Sequence, residues 1–238
     1  MKLQEIVRDL YGVDQPQGCT DEEIDSVRKI FGAIPAAVED FWRTFGRTKE
    51  LTRTDDTWFF PEDFQRWDHL AQSGILPLLD ENQYVCAAAI LQKDLSLPDP
   101  PVYTRMAADE GPWVLSASTV SEFLEAALTY EAIWQLKYSA EEYYWLTDEE
   151  LATVQAKLTK RPAVLKNWME MEVTFYSNRP DNLVVIMDVG DQYQALYGGA
   201  TQESYAALLE VMEGLGEPIC PPSPAGGKPP FAKGGGIC

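Results

Sequence analysis

The chain has one histidine, His69, in the stretch RWDHLAQSG. A Ser–His–Asp or Cys–His mechanism would have to pass through it, because a hydroxyl or thiol nucleophile needs an adjacent base. No Gly-x-Ser-x-Gly elbow accompanies it, and none of the cysteines, Cys19, Cys86, Cys220 and Cys238, sits between two glycines. The cysteines form no Cys-x-x-Cys and have no histidine near them, so zinc spacing is absent. Dinucleotide, His-Glu-x-x-His and EF-hand signatures are absent as well, and no cofactor or metal is expected. Paired carboxylates remain: Asp55-Asp56, Glu62-Asp63, Glu141-Glu142 and Asp148-Glu149-Glu150. Two facing carboxylates could hydrolyse a glycoside or hold a metal. A plainer reading exists for two of these groups. Residues 148–150 after Thr147, and Glu141 and Glu142 after Ser139, are read as helix N-termini, where negative charge meets the positive end of the dipole. The chain is therefore read as not an enzyme, with carboxylate catalysis as the third of three readings.

Charge is the feature that narrows function most. Nineteen Lys and Arg face 38 Asp and Glu, a net charge of −19, with an isoelectric point near 4.3. The acids are spread over the chain and not gathered in a tail. Such a surface repels nucleic acid and anionic membranes and speeds association with basic proteins. No apolar run reaches the roughly 18 residues of a membrane span. The start, MKLQEIVRDLYG, lacks the apolar centre of a signal peptide. A cytoplasmic protein with free thiols is expected. The length of 238 residues allows one large core or two small ones.

The elements that would position these groups are legible from periodicity. Leu3, Ile6, Val7 and Leu10 make a helical stripe. Thr20-Asp-Glu-Glu23 is a capping box opening a helix with Ile24, Val27 and Phe31 inward, ended by Gly32. In GAIPAAVEDFWRTFG, Pro35 suits the first helical position and Gly46 a left-handed residue past the end. Ile34, Val38, Phe41, Trp42 and Phe45 share one helix face, so this aromatic load is read as core and function is sought on the surface. Short apolar runs at 57–60, 75–79, 83–90, 101–105 and 112–116, with turn residues between them, predict an antiparallel sheet. Thr119-Val-Ser-Glu122 predicts another capping box, before a helix with Val120, Phe123, Leu124, Ala127 and Leu128 on one face.

After residue 136 the pattern restarts. A helix capped at Thr147 precedes a period-two strand through 169–176, a central strand LVVIMDV, a strand QYQALYG and a helix from Thr201 to Leu215. The fold class is α+β: an antiparallel sheet flanked by helices over 1–135, an appended helix–three-strand–helix lobe over 136–215, and a flexible Pro/Gly-rich tail over 216–238. EEYYW at 141–145 mixes acids and aromatics as interfaces do; its plain reading is that Tyr143 or Tyr144 and Trp145 seal the joint between the halves.

The order IPAAVEDFWRTFG, GILPLLDENQYVCAAAI, PPVYTR and WVLSASTVSEFLEAAL resembles the SUKH (Smi/Knr-like) superfamily over about residues 20–135. The strand after the Cys is longer and plainer than the family pattern, and residues 136–215 lie outside it. The resemblance implies a non-catalytic α+β domain, with Pro35, Phe41, Phe45, Gly46, Trp113 and Phe123 as structural positions. Many bacterial members are immunity proteins that neutralise a toxin domain, often a nuclease; fungal members are scaffolds in wall-synthesis signalling. The first expectation is thus a cytoplasmic immunity protein whose acidic face occludes a basic toxin. The alternative is a regulatory scaffold binding a cellular protein through apolar patches. Asp55, Asp56, Glu62, Asp63, Glu141 and Glu142, read as exposed loop acids, are the candidate partner contacts.

Overall fold

The computed structural model describes residues 2–52, 54–66, 73–107 and 111–219; His69, Cys220 and Cys238 lie outside the described residues. Three helices open the chain: α1 (Lys2–Tyr11), α2 (Asp21–Phe31) and α3 (Ala36–Phe45). The Thr20 capping box forms, and Gly32 closes α2 with a positive φ of 79°. Pro35 stands one residue earlier than expected, at the N-cap of α3. Gly46 is a correction of another kind. Its φ of −62° is right-handed, so the glycine is there for space. A Cβ would lie 2.5 Å from Cys19 Sγ and 2.8 Å from the Trp42 carbonyl oxygen. Gly46→Ala should therefore cost about 1–3 kcal/mol, read as a lowered unfolding midpoint, and Cys19→Ala in the same chain should recover part of it.

The five expected strands form one antiparallel meander. They are β1 (Thr57–Trp58), β2 (Ile75–Asp80), β3 (Cys86–Leu91), β4 (Val102–Met106) and β5 (Val114–Ala117), paired in sequence order. A short helix not foreseen, α4 (Pro61–Arg66), follows β1. Helix α5 (Val120–Ala132) is capped by Thr119, but Glu122 reaches back to the Ser118 amide and not to Thr119. Burial extends beyond the stripe expected on one face, to every residue from Ala126 to Ala132, because α5 lies against α1 and α3, against β5, and against the strands of the second half.

The second half holds β6 (Tyr138–Ser139), β7 (Tyr144–Leu146), α6 (Asp148–Lys157), β8 (Thr159–Trp168), β9 (Met171–Ser177), β10 (Asn182–Asp188), β11 (Tyr193–Gly199), α7 (Gln202–Met212) and β12 (Glu217–Pro218). The expected three-strand meander is a four-strand one, β8 to β11, extended by β7 and β12, with β6 also on β11. Strand β8 escaped the periodicity reading because its register shifts between Lys160 and Val164 and again between Lys166 and Trp168. Pro162 sits inside the first shift, where no ladder bond is required of it. The expected strand through 169–176 begins at Met171, because Met169 and Glu170 are the hairpin turn. Both are left-handed, with φ of 49° and 63°, and Asn167 has φ 55°.

That turn is held by the first sheet. Thr104 Oγ1 donates to the Asn167 carbonyl at 2.9 Å, Asn167 Nδ2 to the Leu115 carbonyl at 2.9 Å, and Ser116 Oγ to the Lys166 carbonyl at 2.6 Å. These bonds run from β4 and β5 to the end of β8 and join the sheets without a shared ladder. Glu170→Gly should relieve the left-handed strain by about 1 kcal/mol and raise the melting temperature by about 2–4 °C. The apolar core runs without a break from Ile6 to Met212, across residue 135. Two further expectations are corrected. Glu141 and Glu142 precede no helix; they lie in the turn between β6 and β7. The start of the tail is ordered, since β12 pairs with β7 and the Ile219 amide donates to the Tyr143 carbonyl at 2.9 Å. Residues 220–238 lie outside the described residues.

Candidate functional site

Five of the six candidate acids divide between two places, and the sixth, Glu141, lies toward Tyr205 of α7. Glu62 and Asp63 open α4; Glu62 pairs with Arg66 at 3.4 Å, and Asp63 accepts the Phe60 amide at 2.9 Å. They lie near Cys19, whose thiol is pushed up to about 11 by burial first and then by Glu23, with smaller contributions from these two acids. Asp55 and Asp56 instead lie beside Tyr143, whose phenol is raised by burial and then by both aspartates. Glu142 is the chain neighbour of Tyr143. Residues 55–56 and 142–143 therefore meet at one corner.

The corner differs electrostatically from the helical end. On α2 and α3 the acids have cations: Arg28 pairs with Asp25 and Glu39, Arg43 with Asp21, and Arg47 with Glu23. Among the described residues no Lys or Arg pairs with Asp55, Asp80, Glu81, Glu141 or Glu142.

The turn between β2 and β3 completes the corner. The Glu81 carboxylate accepts the amides of Gln83 at 2.8 Å and Val85 at 3.2 Å, while the Tyr84 amide donates to the Glu81 carbonyl at 2.8 Å. Asn82 ties the turn to the neighbouring loop, its amide donating to Asp56 Oδ1 at 3.0 Å and its side chain to Asp55. So fastened, the turn holds Tyr84 at φ 61°, a backbone conformation that costs an aromatic residue of order 1 kcal/mol or more. The ring gains little burial in return, being 65% exposed beside the part-exposed Val85. A strained, rigid turn that presents a tyrosine to solvent among unpaired acids has the composition of an interface anchor.

Three of the six are corrected: Glu62 and Asp63 lie on α4 and not in a loop, Asp63 half-buried, and Asp56 is not exposed. Read as an exposed loop acid, it is 6% exposed and packed against Glu131 of α5, which is 0% exposed. The Asp56 amide donates to Glu131 Oε2 at 3.2 Å, and the two carboxyl groups are in hydrogen-bonding contact. Burial pushes the Asp56 carboxyl up to about 7. It drives Glu131 well above the carboxylate range, with the neighbouring Asp56 adding to the shift. Two features of the sequence point to this pair. Asp56 lies two residues before Trp58 and so faces the same side of the extended chain. Glu131 continues the spacing of Leu124 and Leu128 on the inner side of its helix.

No protein-family model, curated protein or solved structure matches the chain. What the site can do is therefore judged on its own geometry. A carboxyl pair with raised proton affinity has the chemistry of a general acid, but a catalytic group must reach its substrate, and this pair is sealed. Two clefts lie elsewhere, of about 450 Å³ between α1, α5 and the start of β8, and about 420 Å³ beside the β8–β9 turn. Neither is lined by Asp56 or Glu131. Among the described residues no three His, Cys, Asp or Glu are grouped to hold a metal ion, and no helix is long and apolar enough to cross a membrane.

Proposed function

We propose that this chain is a non-catalytic binding protein that occludes a basic surface of a protein partner, as toxin-immunity proteins do. The observation that carries the reading is the acidic corner, where Glu142, the exposed Asp55 and the buried Glu81 have no cationic partner among the described residues around an exposed Tyr84. The net charge of −19 favours such a partner and opposes nucleic acid and anionic lipid. The motif order resembling SUKH proteins lends the immunity role, with a basic nuclease as the fitting toxin class. Such binding needs no cofactor, and the proposed meeting place with the partner is the cytoplasm. The test is recovery of the partner from the host, followed by binding of wild type and of Tyr84→Ala. A basic protein released by the substitution supports the reading.

One observation favours the scaffold alternative. Val114 and Leu115, neighbours on β5, are 48% and 50% exposed. A partner that docks there would be lost with Leu115→Asp and kept with Tyr84→Ala.

A further inference from the structure

We infer that the contact between Asp56 and Glu131 is a proton-held latch, which keeps the segment before β1 closed on α5 and releases it when the protons leave. The geometry requires a proton in the contact. Asp56 Oδ2 and Glu131 Oε1 are both buried, and neither has a hydrogen-bond donor. Two acceptor oxygens on touching carboxyl groups are satisfied together only when a hydrogen lies between them.

Among the described residues no cationic group faces the pair. The titratable groups facing the pair are Tyr11 from α1, Tyr130 from α5, Asp55 from the loop, Glu81 from the β2–β3 turn, Cys86 from β3 and Tyr143 from the β6–β7 segment. None of these is cationic near neutral pH. Loss of the last proton would leave two negative charges in contact in a dry site, and one side must then move away.

The side that can move is the loop. Helix α5 is buried at every residue from Ala126 to Ala132, whereas Thr52 and Asp55 are exposed and β1 adds only two residues to an outer edge. When Asp56 leaves, the Asn82 amide loses its acceptor, so the turn carrying Tyr84 loosens as well. Each opening releases the latch protons to solvent and nothing else is consumed. A carboxyl group whose affinity is raised in the folded state gives stability that is complete below the unfolded value, near 4. That stability is lost progressively as pH rises from there toward the raised folded-state values of the pair, that of Glu131 lying the higher.

The inference stands apart from the partner reading, because it is read on the protein alone. Amide hydrogen exchange at Asp56 and Asn82 is followed from pH 5 to pH 8 and corrected for the intrinsic rate. Protection should fall about tenfold per pH unit for each proton released. Glu131→Gln keeps the acceptor for the Asp56 amide and adds a permanent donor for the Asp56 carboxylate, so its protection should be flat over that range. Asp56→Asn should be flat for the same reason and serves if the first variant does not fold. Protection in the wild type that is independent of pH overturns the latch. So does a pH dependence that either folded variant retains.

Discussion

Trp42→Ala is expected to lower the unfolding free energy by about 3–5 kcal/mol, the usual cost of removing a large aromatic side chain from a core. Trp42 is fully buried, its ring centroid lies 5.7 Å from that of Phe64, and its Nε1 donates to the Phe59 carbonyl at 3.0 Å. The substitution would empty the space between α3 and α4 and remove the indole hydrogen bond to Phe59. Against a total of about 5–15 kcal/mol, the variant should show a lowered urea midpoint with an unchanged slope. Trp42→Phe keeps most of the apolar volume and should cost less. A loss under about 1 kcal/mol in Trp42→Ala would mean that this helix is not a mainstay of the core.

The second large effect is on binding. Tyr84→Ala should weaken the partner complex by about 30-fold, corresponding to about 2 kcal/mol for an aromatic anchor. Asp55→Lys should act differently, slowing association more than it speeds dissociation, because an exposed charge at an interface rim steers the encounter. Glu62→Lys on α4 is the control. Glu62 lies away from the corner with Arg66 as its partner, and its reversal should change affinity least. Measuring the on-rate and the off-rate separately for the three variants checks the assignment of the corner.

The parts of this molecule that follow one period were readable in advance. Helix α3 and strand β10 are examples: the apolar residues of α3 lie on one face, and β10 is apolar along nearly its whole length and buried along all but its last residue. Strand β8 was hidden because two register shifts break its alternation, and the partner that stabilises it is distant in sequence. Gly46 shows that a correct position can have a different cause, since the conformation is ordinary and the constraint is Cys19. The corner was half legible. The acids at 55 and 142 stand out in the sequence, yet only the fold brings them to one place. Tyr84 gives no signal, because its left-handed backbone depends on the Glu81 carboxylate and on Asn82 reaching the loop before β1. Asp56 and Glu131 lay on inward positions of their elements, but opposite ends of a 75-residue separation had to meet before either became unusual.

The most direct test of the account is the association rate of the host-derived partner at low and at high salt, about 50 mM and about 500 mM. Steering by the acidic corner predicts at least a tenfold fall in the on-rate at high salt, and a smaller fall in Asp55→Lys. An on-rate that does not change with salt, with Tyr84→Ala binding as tightly as wild type, would contradict the claim that this protein meets a basic partner through this corner.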